Sequence, residues 1–243
     1  MHFHGAPTPL RRRLWLASKG LPYMLGTVYV DFDGTIAPAD PTDGLFDRFC
    51  HPSWREIERE WQEGRCTSRA CMARQVDLLR ATPDAVDQMV ATVAIDPQFP
   101  AFVDLCQNWG LRVVVVSDGL DRIVGGVLRA AGMDLSYFAN RMEWLGGDRW
   151  KLAFPFARHG CAAKLGNCKC SHRAGARYRG LEIMVGDGRS DFCIAEKSHL
   201  VLAKGRLASH CRSKRIPHWS IDSFADAVPF LTGWLARNAR KSA

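Results

Sequence analysis

The 243-residue sequence contains no apolar run of membrane-spanning length, no internal repeat, no low-complexity tract and no Cys-x-x-Cys pair. A helix crossing a bilayer needs roughly 20 consecutive apolar residues, so a membrane-spanning class is excluded. The first 23 residues lack acid altogether, while Arg11, Arg12, Arg13 and Lys19 stand there as four of the positive charges behind a formal net charge of +8. Much of the basic balance therefore belongs to one end of the chain. Basic and aromatic residues do not interleave as in a recognised nucleic-acid module, and no nucleic-acid partner is expected. Leu14-Trp15-Leu16-Ala17 is too short for a secretory apolar core. Residues 1–23 are expected to be a dispensable extension, with Met24 an alternative start.

What is present is a set of short apolar runs, each ending in polar residues. Leu25 to Val30 is rich in β-branched and aromatic residues and runs directly into Asp31; Leu111 to Val116 runs into Ser117; Leu181 to Val185 runs into Gly186-Asp187. Uninterrupted apolar strands suit a parallel sheet covered on both faces. Ligands in such sheets collect beyond the strands' carboxyl ends, so three polar clusters in that position can converge on one site.

Those clusters are Asp31-Phe32-Asp33-Gly34-Thr35, Ser117-Asp118-Gly119 and Gly186-Asp187-Gly188-Arg189-Ser190-Asp191, with Asn167-Cys168-Lys169 between the last two. An aspartate attacking a phosphate ester must overcome charge repulsion, which a divalent cation relieves. Mg²⁺ takes oxygen ligands, and Asp31 and Asp187 are suitable carboxylates. Asp33, two residues beyond a nucleophilic Asp31, can protonate the leaving group and later deprotonate water. Thr35, Ser117, Asp118 and Gly119 are read as phosphate-binding, with Gly34 allowing the tight turn. A lysine supplies the remaining point charge. Lys164 and Lys169 both lie in range; Lys169 is preferred, because the stretch from it to Asp187 leaves room for a short helix and a strand.

The four motifs, in this order, resemble those of the haloacid dehalogenase-like superfamily of phosphotransferases, over roughly residues 25–235. The resemblance implies an α/β fold, a Rossmann-like core with a parallel sheet flanked by helices and a small helical cap inserted after the first strand. It implies Asp31 as nucleophile, Asp33 as acid/base, Ser117 and Lys169 as phosphate ligands, and Mg²⁺ held by Asp31, Asp187 and the backbone carbonyl of Asp33. Asp191 would support Lys169 or the metal's waters. Asn167-Cys168-Lys169 also looks like the lysine element of one subgroup, subfamily IB, which holds the phosphoserine, phosphocholine/phosphoethanolamine and methionine-salvage 2-hydroxy-3-keto-5-methylthiopentenyl-1-phosphate phosphatases.

Between Asp40 and Asp96 no strand-like run occurs, but helices are expected over 52–63, 67–80 and 83–93, with Thr67 and Thr82 as N-caps and Pro83 in a first turn. Ala70, Ala73, Val76 and Leu78 would form the apolar face of the second. Residues 40–96 are thus the cap, and 24–39 with 97–243 the core. Asp40 and Asp43 would meet a cationic or hydroxylated leaving group, or cap the first cap helix; Arg55, Arg65, Arg69 and Arg74 could hold a carboxylate.

Asn140 to Leu145 and Arg149 to Phe154 read as a hairpin, 120–131 as a helix, 199–203 as a strand and 223–237 as a terminal helix with Phe224, Ala227, Val228, Leu231 and Leu235 inward. Nine cysteines, an odd number, suit reduced thiols and a cytoplasmic setting. Cys161, Cys168 and Cys170, with His159 and His172 nearby, are a candidate zinc loop, but they lack paired Cys-x-x-Cys spacing and free buried or loop cysteines are the first reading. The expected function is a Mg²⁺-dependent phosphomonoesterase acting on a small phosphorylated metabolite. Its alternatives are a phosphotransferase using the same intermediate, or a non-catalytic binding protein.

Overall fold

The computed structural model describes residues 26–161, 163–173 and 180–239. The basic stretch 1–23 lies outside them. Seven strands form one sheet in the order β4-β3-β2-β1-β5-β6-β7. They are β1 Gly26–Val30, β2 Leu111–Leu120, β3 Ser136–Gly146, β4 Arg149–Ala153, β5 Leu181–Gly186, β6 Leu200–Ala203 and β7 His218–Ser220. Every adjacent pair is parallel except the β3–β4 hairpin. Central β1 is wholly buried, and Val30 pairs with Val115 on one side and Val185 on the other. The residues that follow Val30, Val115 and Val185 are therefore level with one another. This register brings the sequence-distant motifs together.

Four helices, α1 Pro41–Phe49, α2 Trp54–Gln62, α3 Ser68–Asp77 and α4 Pro83–Val90, follow β1 as an insert. The first precedes those expected from sequence. Asp40 caps it, accepting from the amides of Thr42 and Asp43 at 2.9 and 3.0 Å, and Pro41 opens it, so the Asp-Gly pair at 43–44 lies inside a helix rather than a turn. Thr67 and Thr82 accept from the amides of Ala70 and Ala85, as their spacing predicts. The inward face of α3 differs from expectation. Ala70 is exposed, whereas Ser68, Cys71, Gln75 and Val76 are buried. Gln75 can be buried because its amide donates to Glu58 on α2 at 3.1 Å, and Cys71 because its thiol faces the Ile57 carbonyl.

The chain returns to the sheet through α5 Phe99–Asn108. The remaining helices are α6 Asp121–Ala130, α7 Phe192–Ala195, α8 Gly205–Lys214 and α9 Phe224–Ala239. Phe224, Ala227, Leu231 and Leu235 are buried and Val228 half-buried, giving α9 its expected inner stripe. Phe99 and Phe102 of α5 pack with tilted rings against Phe224, with ring centroids 5.0 and 4.9 Å away. Strand β7 has only three residues at the sheet edge, too few to leave a periodic signal. No helix among the described residues is long and apolar enough to cross a membrane.

Candidate active site

Asp31 leaves β1 with its amide donating to the Val185 carbonyl at 2.9 Å, which pins it at the sheet's centre. Its Oδ1 accepts from the Phe32 amide and from Lys169 Nζ, each at 2.7 Å. Lys169 is wholly buried and also reaches Asp191 Oδ1 at 2.6 Å. The other oxygen of Asp191 accepts from the amides of Asp187 and Gly188, both at 3.1 Å, so Asp191 orients the lysine and its own loop together. Lys164, the alternative lysine, is exposed. Asp187 accepts from the Thr35 hydroxyl at 3.0 Å, which occupies Thr35 with tethering the carboxylate.

Asp33 is held by two hydroxyls, Ser117 at 2.8 Å and Thr42, from the cap's first helix, at 3.1 Å. The Gly119 amide donates to Ser117 Oγ at 2.8 Å. A Cβ on Gly119 would stand 2.6 Å from Asp33 Oδ2, so glycine is needed there for close approach. Gly34 is constrained twice, by φ of +73° and by Asp187 Oδ2, which lies 2.7 Å from where a Cβ would sit. Ser117-Asp118-Gly119 occupies an irregularity within β2, between Val116 and Leu120, rather than a loop after the strand.

Asp118 serves as a bracket. Its Oδ2 accepts from Ser68 Oγ of cap helix α3 at 2.6 Å, and its Oδ1 from the amide of Asn167 at 2.7 Å. Asn167 in turn donates to the carbonyls of Ser117 and Phe138 at 2.8 and 2.9 Å. One carboxylate thus ties the cap to the loop carrying Lys169.

The electrostatics are those of a crowded anionic centre. Burial pushes the Asp31 carboxyl well above the usual range, Asp191 and Asp187 push it further, and Lys169 pulls it back. Burial, then Asp191, likewise raises Asp187. Asp33 is pushed up to about 7 by burial and by Asp40. Burial works against the charge on Lys169, but Asp191 and Asp31 outweigh it and hold the ammonium protonated. Asp31, Asp187 and Asp191 each offer an oxygen within 4.8 Å of the others, the one such group of three among the described residues.

The chemistry-bearing residues open on a cavity of about 450 Å³ lined by Asp31, Asp33, Asp118, Gly119 and Asp187 from the core, with Arg189 and Arg206 beside them, and by Asp40, Thr42, Glu58, Trp61 and Gln62 from the insert. The sequence pattern of the haloacid dehalogenase-like hydrolases matches residues 28–196. The chain belongs to that family. A 2-hydroxy-3-keto-5-methylthiopentenyl-1-phosphate phosphatase from Exiguobacterium sp. is 28% identical over 213 residues, covering 85% of this chain and 97% of the relative. Among solved structures, a substrate-bound phosphoserine phosphatase complex superposes with a TM-score of 0.64 at 19% identity, covering 86% of this chain and 98% of the other. A phospho-aspartyl intermediate analogue of phosphoserine phosphatase does so with a TM-score of 0.61 at 19% identity, with the same coverage.

In this haloacid dehalogenase-like hydrolase several site residues escaped the sequence reading. Lys204, at the end of β6, donates to the Gly34 carbonyl at 3.0 Å and steadies the first loop. Its position just beyond an apolar strand was the available signal. Thr42, Glu58, Trp61 and Gln62 carried none, because only tertiary packing turns one side of the insert toward the core. Of the two cap acids, Asp40 both caps α1 and lines the cavity, while Asp43 is an exposed first-turn residue outside it. The cap arginines do not reach the cavity: Arg55 pairs with Asp47, Arg65 with Glu63 and Arg74 with Glu60, and Arg69 is not in its lining.

The candidate zinc loop does not assemble as a ligand set, and its cysteines are free thiols. His172 turns its Nε2 to Asn167 Oδ1 at 2.6 Å and stacks on Phe138 at 4.1 Å, and burial and Arg158 hold its imidazole down at about 4. Cys161 and Cys168 are buried against Leu165, and Cys170 meets Cys193 instead.

Proposed function

We propose that this haloacid dehalogenase-like phosphatase hydrolyses a small phosphate monoester through a phosphoryl group carried on Asp31. The observation that supports this most directly is one carboxylate, Asp31, held by a buried lysine at 2.7 Å, beside a second, Asp33, held by Ser117 and Thr42 on the same cavity. Asp31 attacks phosphorus in line. Asp33, protonated near neutral pH, gives its proton to the departing alkoxide, then takes one from the water that releases phosphate. Lys169 neutralises charge at the attacking carboxylate, and Asp191 keeps it there.

The donor set is all oxygen, anionic and mutually repelling, which fits a hard divalent cation such as Mg²⁺. Asp31, Asp187 and the Asp33 carbonyl would hold it, with Asp191 already engaged by Lys169 and two amides. When bound, the cation offsets the carboxylates' repulsion and polarises the phosphoryl oxygens. A solved phospho-aspartyl analogue on the same fold is consistent with the covalent route.

The leaving group would face α2, where Glu58, Trp61 and Gln62 line the cavity. That wall suits a hydroxylated or partly apolar alcohol: the cap supplies no arginine to it, and the arginines that line the cavity, Arg189 and Arg206, come from the core. The hydroxy-keto, methylthio-bearing ester named for the Exiguobacterium relative is of this kind.

Phosphate release from a panel of esters tests the reading, run with Mg²⁺ and with chelator and with Asp31→Asn as blank. The panel includes that ester, polyol phosphates, phosphoethanolamine and phosphoserine. Magnesium-dependent turnover absent from the blank is expected, with hydroxylated esters ahead of phosphoserine. No turnover of any ester by folded protein would refute the phosphatase mechanism; preference for phosphoserine would refute the leaving-group assignment alone.

A further inference from the structure

Cys170 and Cys193 stand outside the chemistry described above, yet each adjoins one of its parts. Cys170 follows Lys169 in a 3-10 turn over Lys169–His172, and Cys193 lies in the short helix α7, two residues beyond Asp191. Their sulfurs are 2.8 Å apart, across 23 residues of sequence. Both are half-buried, whereas Cys71, Cys106, Cys161, Cys168 and Cys211 are buried. The two thiols therefore sit on the same two segments that the Lys169–Asp191 ion pair joins at 2.6 Å.

We propose that Cys170 and Cys193 are an oxidisable dithiol, a modification site for a glutathione-type disulfide, and that closing it displaces Lys169 from Asp31. Cys170, as thiolate, attacks one sulfur of oxidised glutathione and releases one glutathione thiolate. Cys193 then loses its proton, attacks the Cys170 sulfur of the mixed disulfide and expels the second glutathione. The two protein thiols are oxidised by two electrons, and oxidised glutathione is reduced to two molecules of glutathione. Cys170 is suited to the first step: its sulfur lies 2.8 Å from that of Cys193, and hydrogen bonding between the two, with Lys197 nearby, holds its thiol below the ordinary value.

A disulfide requires a sulfur separation of roughly 2.0 Å and a dihedral near a right angle, so the turn and α7 must shift together to form it. Lys169 is the first residue of that turn and has no slack, being wholly buried between two carboxylates. Misplacing a positioned group by about 1 Å can cost on the order of a hundredfold in rate, and we expect at least about a tenfold fall in turnover.

The effect on rate rests on the phosphatase reading, but formation of the bridge does not. The test uses the full chain, incubated with reduced glutathione alone or with oxidised glutathione, followed by peptide mapping by mass spectrometry and by Mg²⁺-dependent hydrolysis of p-nitrophenyl phosphate. The expected result is a peptide pair joined through Cys170 and Cys193, a loss of at least about tenfold in turnover and recovery with dithiothreitol. The double variant Cys170→Ser/Cys193→Ser should keep its reduced-state activity and resist oxidised glutathione. The proposal is overturned if the bridge does not form, if it forms with turnover unchanged, or if the double variant is inactivated equally. Should that variant not fold, the wild-type map and the dithiothreitol recovery decide alone. A reduced enzyme without turnover would instead count against the phosphatase reading.

Discussion

At the scale of single residues, the site is a balance between charges that repel and one lysine that binds two of them. Lys169→Met would leave Asp31 and Asp191 buried without their cation. Removing one member of a buried pair costs roughly 3–5 kcal/mol, which chemical denaturation of the metal-free protein would register. Asp31→Asn acts in the opposite sense. It should abolish turnover while leaving the melting temperature equal or higher, because the carboxylate it removes is raised first by burial and then by Asp191 and Asp187; the site gives up stability to keep a nucleophile. Asp33 adds a pH signature. Its carboxyl is raised from 3.8 to about 7, so as an acid it is lost when the pH climbs through that value, and leaving-group departure should slow on the alkaline side. The same shift links to folding: the folded form holds a proton that the unfolded chain releases near pH 4, so this contribution to stability is full below that pH and lost as pH rises through about 7. Thermal melting from pH 5 to 8 should show that decline, and Asp33→Asn should flatten it.

At the scale of elements, the insert after β1 is a working wall rather than an appendage. Thr42 of α1 reaches Asp33, and Ser68 of α3 reaches Asp118. The β3–β4 hairpin grips its far side, where the Ala81 amide donates to the Asp148 carbonyl at 3.1 Å and Trp150 Nε1 to the Ala81 carbonyl at 2.7 Å. Ser68→Ala should therefore raise KM several-fold with a smaller change in kcat, since the cap loses one of its ties to the core while Asp33 and Lys169 keep theirs; steady-state kinetics on the best ester separates the two. Thr82→Ala removes only a helix cap and should cost about 1 kcal/mol in denaturant without changing the rate.

At the scale of the whole molecule, the parallel sheet sets the site at its centre, where β1 and β5 end beside the irregularity of β2 that holds Ser117-Asp118-Gly119. A cation that binds there binds the folded chain and raises its melting temperature by mass action. Added Mg²⁺ should stabilise the protein progressively, and Asp187→Asn should remove most of that gain; calorimetry over a Mg²⁺ series measures both. The arrangement also explains which expectations held. Strands buried on both faces are uninterrupted apolar runs, so β1, β5 and β6 were visible in one dimension, as were Thr67 and Thr82, whose capping is local. The apolar face of α3 was not, because burying Gln75 depends on Glu58 in another helix. Strand β7 was missed because three edge residues carry no period.

By itself the sequence determined which carboxylates, hydroxyls and lysine follow the strands, since strand, turn and cap chemistry act over a few neighbouring residues. Only the tertiary structure decided what those groups do to one another. It gave Asp118 to the cap, Thr35 to Asp187 and Asp40 to both a helix and the cavity, turned the cap arginines outward, brought Lys204 to the Gly34 carbonyl and set Cys170 against Cys193. Each of these is a contact between residues far apart in the chain, fixed by sheet register and by the seating of the insert, and neither is written in any short stretch of residues.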